Sequence, residues 1–180
     1  MAGIAVYTVG HSTRTREQLL EIVRAADVRA IVDVRTFPSS RRHPDFNRRA
    51  LERWLPDAGI EYLHLPELGG RRDPAPDSPN GGWRERGFRG YADHMASGEF
   101  QAGLERLEQL SLRRPTAIMC AEALWWRCHR RLIADALTVR RADVLHLGSG
   151  KPVKHELTSF AEVGDGGALT YPPAQASLEL

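Results

Sequence analysis

Side chains capable of acid-base, nucleophilic or anion-binding chemistry recur directly after short apolar segments of the sequence. Histidines suit proton transfer near neutral pH. Cysteines suit nucleophilic attack or zinc binding, and arginines bind phosphate or carboxylate groups bidentately. The candidates of these types, with the hydroxyl and carboxylate groups beside them, are His11, Ser12, Arg35, Ser39, Arg41, Cys120, Glu122, Cys128, His129 and Arg130. Their recurrence at the same point of successive segments indicates one shared site.

The segment from Cys120 to Arg130 admits three interpretations. A helix N-terminus and a neighbouring His129 or Arg130 lower the pKa of a thiol, which is how a nucleophilic cysteine arises, so Cys120 is a candidate nucleophile. Alternatively Cys120, Cys128 and His129, joined by His11, are suitable zinc ligands, although the sequence contains no Cys-x-x-Cys pair. The third interpretation leaves both cysteines inert and partly buried.

An arginine-rich segment covers residues 35–53, where Asp45 and Glu52 are the acidic residues that oppose it. Arginines that follow a strand bind anions. The aromatic residues within 83–91 are also interleaved with arginines, a mixture that can stack on bases and neutralise phosphates of nucleic acid. The plain alternative is a solvated helix face and a loop that packs its own aromatic rings.

Length and composition favour one ordinary domain. The chain has 180 residues, 42% of them hydrophobic, which is enough for a buried core. Its net charge of +2 is too small to predict binding to nucleic acid or to an anionic membrane. We find no membrane-spanning segment, no signal peptide and no disulfide framework, and therefore expect a cytoplasmic protein that does not bind membranes.

Alternating apolar and amphipathic segments predict the elements that position these residues. Strands are predicted at 4–9, 30–34, 60–63, 116–119 and 144–147, with helices between them. This order predicts a single-domain α/β three-layer sandwich with a mostly parallel sheet of about five strands. We expect the domain to cover residues 1–163 with a long Pro/Gly-rich loop at 66–90, and residues 164–180 to form a flexible tail. Parallel strands would bring the candidate residues to one edge of the sheet.

Several separated motifs also carry a resemblance. They are Gly10-His11-Ser12, Asp33-Val34-Arg35 with Pro38-Ser39, Leu68-Gly69-Gly70, Cys120-Ala121-Glu122, Cys128-His129-Arg130, and His146 with His155. In this order they resemble the domain-of-unknown-function family 488 over nearly the whole chain. The resemblance implies a compact bacterial or archaeal α/β domain and carries no established reaction.

The leading hypothesis is an enzyme or binder for a small anionic, phosphate- or nucleotide-like substrate. Arg35 and Arg130 would hold the anion, His11 and His129 would move protons, Glu122 would orient a histidine, and Cys120 would attack. Ser12, Ser39, Arg41 and Cys128 would complete the binding site. The alternatives are a nucleic-acid-binding module using residues 35–53 and a metal-binding structural domain using Cys120, Cys128 and His129. The sequence assigns no cofactor and no oligomeric state.

Overall fold

The computed structural model describes residues 3–175 and shows an α/β domain built on a six-stranded sheet. The strands are β1 Ala5–Gly10, β2 Ala30–Asp33, β3 Glu61–His64, β4 Thr116–Cys120, β5 Asp143–His146 and β6 Val153–Lys154. Their order in the sheet is β3-β2-β4-β1-β5-β6, in which β1 to β5 are parallel and β6 is antiparallel to β5. Helical crossovers join the parallel strands, as this topology requires.

Five helices cover the two faces of the sheet. They are α1 Arg16–Ala25 and α2 Arg48–Asp57 on one face, and α3 Arg86–Met95, α4 Gly98–Arg113 and α5 Arg130–Val139 on the other. Strand residues alternate between two cores: Ile118 of β4 packs on the α3–α5 side, while Ala117 and Met119 pack on the α1–α2 side. The predicted three-layer sandwich with a mostly parallel sheet is therefore confirmed.

Local signals explain where the helices begin. Helix α1 begins with a capping box, because the Gln18 amide donates to Thr15 Oγ1 and the Thr15 amide to Gln18 Oε1. Asn47 directly precedes α2, but its side chain accepts from the Ser40 amide instead of a helix amide. That contact ties the loop after β2 to the start of α2. Helix α5 begins at Arg130, after an extended Cys128.

The predicted loop at 66–90 is held at defined points. It contains a short helical turn at Pro66–Leu68, and α3 begins within it at Arg86. The carboxylate of Asp93 accepts from the Ala75 amide, from Ser78 Oγ and from Asn80 Nδ2. This carboxylate fixes the part of the loop that leads away from the sheet edge.

The segment after Gly164, predicted as a flexible tail, packs on the domain as far as Tyr171. Two further short strands, β7 Glu162–Val163 and β8 Leu169–Thr170, pair with each other. Tyr171 is fully buried and donates to Asp135 Oδ2 at 2.8 Å. Strands of two residues are too short to show periodicity in a sequence, which is why this packing was not predicted. Residues 176–180 of the predicted tail lie outside the described residues.

In the part of the chain that the structure covers, no helix has the length and apolar character needed to cross a membrane.

Candidate functional site

The ends of β1 and β4 form a crevice at the carboxyl edge of the sheet. These strands are neighbours, but β1 leads to α1 on one face and β4 leads to α5 on the other, which is the topology that opens a binding crevice. Their pairing continues beyond the strands through His11 N–H to Cys120 O at 2.9 Å. Gly10 permits this approach, because a Cβ there would lie 1.9 Å from Glu122 O.

A cavity of about 530 Å³ lies over these strand ends and over the end of β2. We call it the edge pocket. The predicted site residues that line it are His11, Ser12, Arg35, Ser39, Cys120 and His129. The structure therefore brings together residues from three separate segments of the chain.

The other predicted residues lie behind the edge pocket or outside it. Cys128 and Arg130 are buried beside Cys120. Glu122 is exposed, and its carboxylate accepts from the Leu124 amide at 3.0 Å instead of orienting a histidine. Arg41 is exposed and is not among the lining residues.

Sequence reasoning missed other lining residues, namely Thr36, Phe37, Ser40, His43, Gly70, Arg71 and Ala121. Gly70 had a signal in the Leu68-Gly69-Gly70 motif. A Cβ at Gly70 would lie 3.0 Å from His129 Nδ1, and a Cβ at Gly69 would lie 2.4 Å from Thr36 Oγ1. The two glycines thus let this loop close against the pocket.

One wall of the edge pocket is a complete ion-pair network around Arg35. Its guanidinium donates to both carboxylate oxygens of Asp33, through Nε at 2.9 Å and Nη2 at 2.6 Å. Nη2 also donates to Phe46 O, and Tyr62 donates to Asp33 Oδ2, each at 2.8 Å. Asp33 is fully buried and Arg35 is 8% exposed, so each charge has its partner inside the protein.

His11 belongs to the same wall. Its Nδ1 lies 3.0 Å from Ser12 O and its Nε2 lies 3.2 Å from Arg35 Nη1. The ring stacks on Phe46, with ring centres 4.5 Å apart. Burial, reinforced by the charge of Arg35, lowers the pKa of His11 to about 4. The ring is therefore neutral at pH 7, donating from Nδ1 and accepting at Nε2, with both nitrogens engaged.

Two other lining residues, Cys120 and His129, adjoin the buried Cys128, and the ligand atoms of these three residues all lie within 4.8 Å of one another. His129 Nε2 lies 2.8 Å from Val34 O and must donate to it. Its Nδ1 therefore faces Cys128 Sγ, 3.6 Å away. The backbone carbonyl thus sets which nitrogen of His129 faces the sulfur.

Arg130 lies behind these cysteines and is only 1% exposed. Its Nε donates to Cys128 Sγ at 3.4 Å, and its Nη2 donates to Glu122 O. Among residues 3–175 no carboxylate lies within 4.0 Å of this guanidinium. Arginine does not lose its proton in proteins, and a buried charge needs a partner. The Cys128 thiolate is the anion placed to serve as that partner.

The two sulfurs therefore take different roles. The hydrogen bond from Cys120, followed by the effects of His129 and Arg130, lowers the pKa of Cys128 well below its usual range despite burial. The same bond to Cys128, followed by burial, raises the pKa of Cys120 well above its usual range. These opposite directions favour the form of the pair in which Cys128 carries a negative charge and Cys120 keeps its proton. Cys128 is buried, whereas Cys120 faces the edge pocket.

Residues 15–137 match the family model described as "Domain of unknown function DUF488". No match was found among curated proteins or solved structures. The matched span contains β2, β4, the Asp33–Arg35 pair and the whole Cys120–Arg130 segment. The chain therefore belongs to the DUF488 family.

Proposed function

We propose that this protein is a thiol-dependent enzyme that acts on a small anionic, phosphate- or nucleotide-like substrate in the edge pocket. The observation that carries the proposal is the buried Arg130 beside Cys128, with no carboxylate partner among the described residues. This guanidinium holds one negative charge on the cysteine pair at neutral pH. Cytoplasmic location is part of the proposal, because the pair must stay reduced.

The proposed reaction starts with a proton transfer between the two sulfurs. Cys120 gives its proton to the Cys128 thiolate and becomes the nucleophile that faces the edge pocket. Its sulfur lone pair forms a bond to the electrophilic atom of the substrate, and the leaving group departs with the electrons of the broken bond. The Cys128 thiol returns a proton to that leaving group. Water then attacks the same atom of the covalent intermediate, and the bond to sulfur breaks with its electrons returning to Cys120. The Cys128 thiolate takes the proton that water loses, which restores the pair.

An anionic substrate would bind best to cationic side chains that have no carboxylate partner in the protein. Asp33 neutralises Arg35, so Arg35 offers a hydrogen-bond donor and little net charge. Arg71 also lines the edge pocket, and within residues 3–175 it has no carboxylate within 4.0 Å. Hydroxyl groups of Ser39 and Ser40 lie in the same lining. The substrate anion would therefore bind near Arg71 and these serines, opposite Cys120.

The proposal is tested by alkylation of metal-free protein with iodoacetamide, an uncharged reagent, at about pH 6.5. Cys120 should be labelled in the native protein, well below the unperturbed thiol pKa of about 8.5. Millimolar inorganic phosphate should slow the labelling, and Arg71→Ala should remove that protection. Arg84→Ala, a change of the same kind outside the edge pocket, should leave protection intact. Labelling only in denaturant, or protection independent of Arg71, would contradict the proposal.

Zinc binding is a second candidate function, favoured by the close approach of Cys120, Cys128 and His129. A Cys₂His set with an open fourth position is known in catalytic zinc sites, and the bond from His129 to Val34 O is typical of a zinc ligand's outer contact. Two thiolates would neutralise Zn²⁺ and leave Arg130 without a partner, unless hydroxide or an anionic ligand took the fourth position. A cysteine pair with one negative charge balances the Arg130 charge without a metal. We therefore rank the thiol-dependent enzyme ahead of the zinc site.

Metal content separates the two candidates. The purified protein should contain no stoichiometric zinc, and a chelator should leave both its stability and its cysteine labelling unchanged. One tightly held zinc per chain, with labelling that appears only after chelation, would favour the zinc site instead.

A further inference from the structure

A buried row of polar side chains lies outside the edge pocket, on the α3–α5 side of the sheet, and takes no part in the steps above. It runs from Thr8 through His146 and His155 to Asp135, and each of these residues is at most 4% exposed. The distances are 2.7 Å from Thr8 Oγ1 to His146 Nδ1, 3.0 Å from His146 Nε2 to His155 Nδ1, and 2.8 Å from His155 Nε2 to Asp135 Oδ1. We call it the histidine row.

The carboxylate of Asp135 anchors one end of the histidine row. It accepts from His155 Nε2, so His155 Nδ1 faces His146 Nε2. The other nitrogen of His146, Nδ1, is paired with the Thr8 hydroxyl. Tyr171 and the Thr158 amide complete the carboxylate's partners. Each ring nitrogen has one partner, so the His146 ring is locked in a single orientation.

That locked ring supports Trp125. The two rings are parallel within 2°, and their centres are 3.9 Å apart. His155 meets the same indole edge-on, with ring centres 5.4 Å apart. Trp125 is half-buried and does not line the edge pocket. Its role in the structure is therefore one of packing and not of contact with a pocket ligand.

Trp125 in turn contacts the reactive segment through its backbone. The Cys128 amide donates to Trp125 O at 3.2 Å, which closes the short helical turn at Trp125–Arg127. Cys128 Sγ must stay near Arg130 Nε, the donor 3.4 Å away, for its thiolate to be stabilised. A displacement of Trp125 would move the Cys128 backbone out of that arrangement.

We propose that His146 and His155 are positioning residues for Cys128, acting through the ring and the carbonyl of Trp125. This inference rests on the proposed function, because it explains how the histidine row keeps the cysteine pair in its reactive arrangement. It assigns a purpose to two histidines that lie outside the edge pocket and contact neither sulfur.

The test measures the rate of Cys120 alkylation against pH in His146→Gln, Trp125→Ala and Tyr171→Phe. His146→Gln keeps a donor toward His155 but removes the flat ring, and Trp125→Ala removes its partner. Both should shift the alkylation profile about one pH unit upward, which is a tenfold slower reaction on its rising limb. Trp125→Phe, which keeps a flat ring, should restore most of the rate.

Tyr171→Phe is the matched control. It removes one hydrogen bond from the far end of the same buried network and leaves the His146–Trp125 stack in place. Its stability should fall, but its alkylation profile should match that of the unmodified chain. If His146→Gln does not fold, the comparison of Trp125→Ala with Trp125→Phe shows whether the ring at position 125 positions Cys128.

The outcomes separate the two proposals. A reactive parent chain whose profile is unchanged in His146→Gln and Trp125→Ala would overturn the positioning role alone. An equal shift in Tyr171→Phe would overturn it too, because the effect would then be general destabilisation. A parent chain that is unreactive at every pH below the usual thiol pKa would instead remove the proposed function itself.

Discussion

Arg35 and Arg130 are both buried guanidinium groups at the same edge of the sheet, yet their charges are balanced in different ways. Arg35 has a permanent partner, the buried carboxylate of Asp33, which it holds by two hydrogen bonds. Arg130 has a sulfur as its partner, and that sulfur can be protonated. The Arg35 wall therefore has a fixed charge, whereas the Arg130 wall has a charge that chemistry can move between two cysteines.

This difference predicts opposite results for two matched substitutions. Arg35→Met leaves the Asp33 carboxylate buried without its cation and should cost about 3–5 kcal/mol of unfolding free energy. Arg130→Met lets the cysteine pair take up a second proton, so no buried charge remains, and the loss should be smaller, about 1–3 kcal/mol. Urea unfolding of both variants checks this. Equal losses, or a larger loss for Arg130→Met, would contradict the comparison.

The pH dependence of stability should also reflect the Arg35 wall. Burial, with the charge of Arg35, lowers the pKa of His11 from 6.5 to about 4, so between these values the unfolded chain binds more protons than the folded protein. The free energy of unfolding should therefore fall as pH drops from about 6.5 to 4, by about 3 kcal/mol from His11 alone. Above pH 7 this contribution should be constant.

His146 should add to the same loss and extend it to lower pH, because burial, followed by His155 and Arg130, lowers its pKa to about 3. Denaturant unfolding at several pH values measures both effects. In His11→Gln the free energy of unfolding should fall less between about pH 6.5 and 4 than it does in the parent chain. A curve that stays level down to pH 4 in the parent chain would contradict the neutral state of both histidines.

A smaller effect concerns the cysteine pair. The hydrogen bond from Cys120 to Cys128 is the largest cause of the raised pKa of Cys120. Cys128→Ser removes the thiolate that takes the Cys120 proton in the proposed reaction, so Cys120 alkylation at about pH 6.5 should become about tenfold slower. Cys120→Ser should leave little labelling, because Cys128 is buried. Faster labelling in Cys128→Ser would show that Cys128 competes with Cys120 for the negative charge instead of activating it.

The smallest effect is expected for nucleic acid. Within residues 35–53, Arg35 is paired with Asp33 and Arg48 with Glu52, which leaves Arg41, Arg42, Arg49 and Arg53 as the exposed cations without ion pairs in the described structure. Oligonucleotide binding at low salt should be weak, and replacing these four residues by Ala should change it little. Micromolar binding that weakens steeply with salt and disappears in that variant would favour the nucleic-acid alternative.

The sequence predicted the sheet and its edge because apolar segments of strand length alternate with amphipathic ones. It could place Cys120 and Arg35 at strand ends, but not decide which of two cysteines is ionised, because that depends on the position of Arg130. The Asp33–Arg35 pair was visible as a motif, whereas its closure against Phe46 O needs the loop geometry. Tyr171 and Asp135 were missed because their contact joins segments 36 residues apart without any local pattern.

The central claim is that the cysteine pair carries one negative charge at neutral pH, and the ultraviolet absorbance of thiolates tests it most directly. In metal-free protein, titrated downward from about pH 8, the absorbance of one thiolate per chain should persist to about pH 6 or below. In Arg130→Met that absorbance should disappear at a clearly higher pH, whereas in Arg71→Ala it should match the parent chain. A parent chain without thiolate absorbance until the pH exceeds about 8.5 would contradict the account.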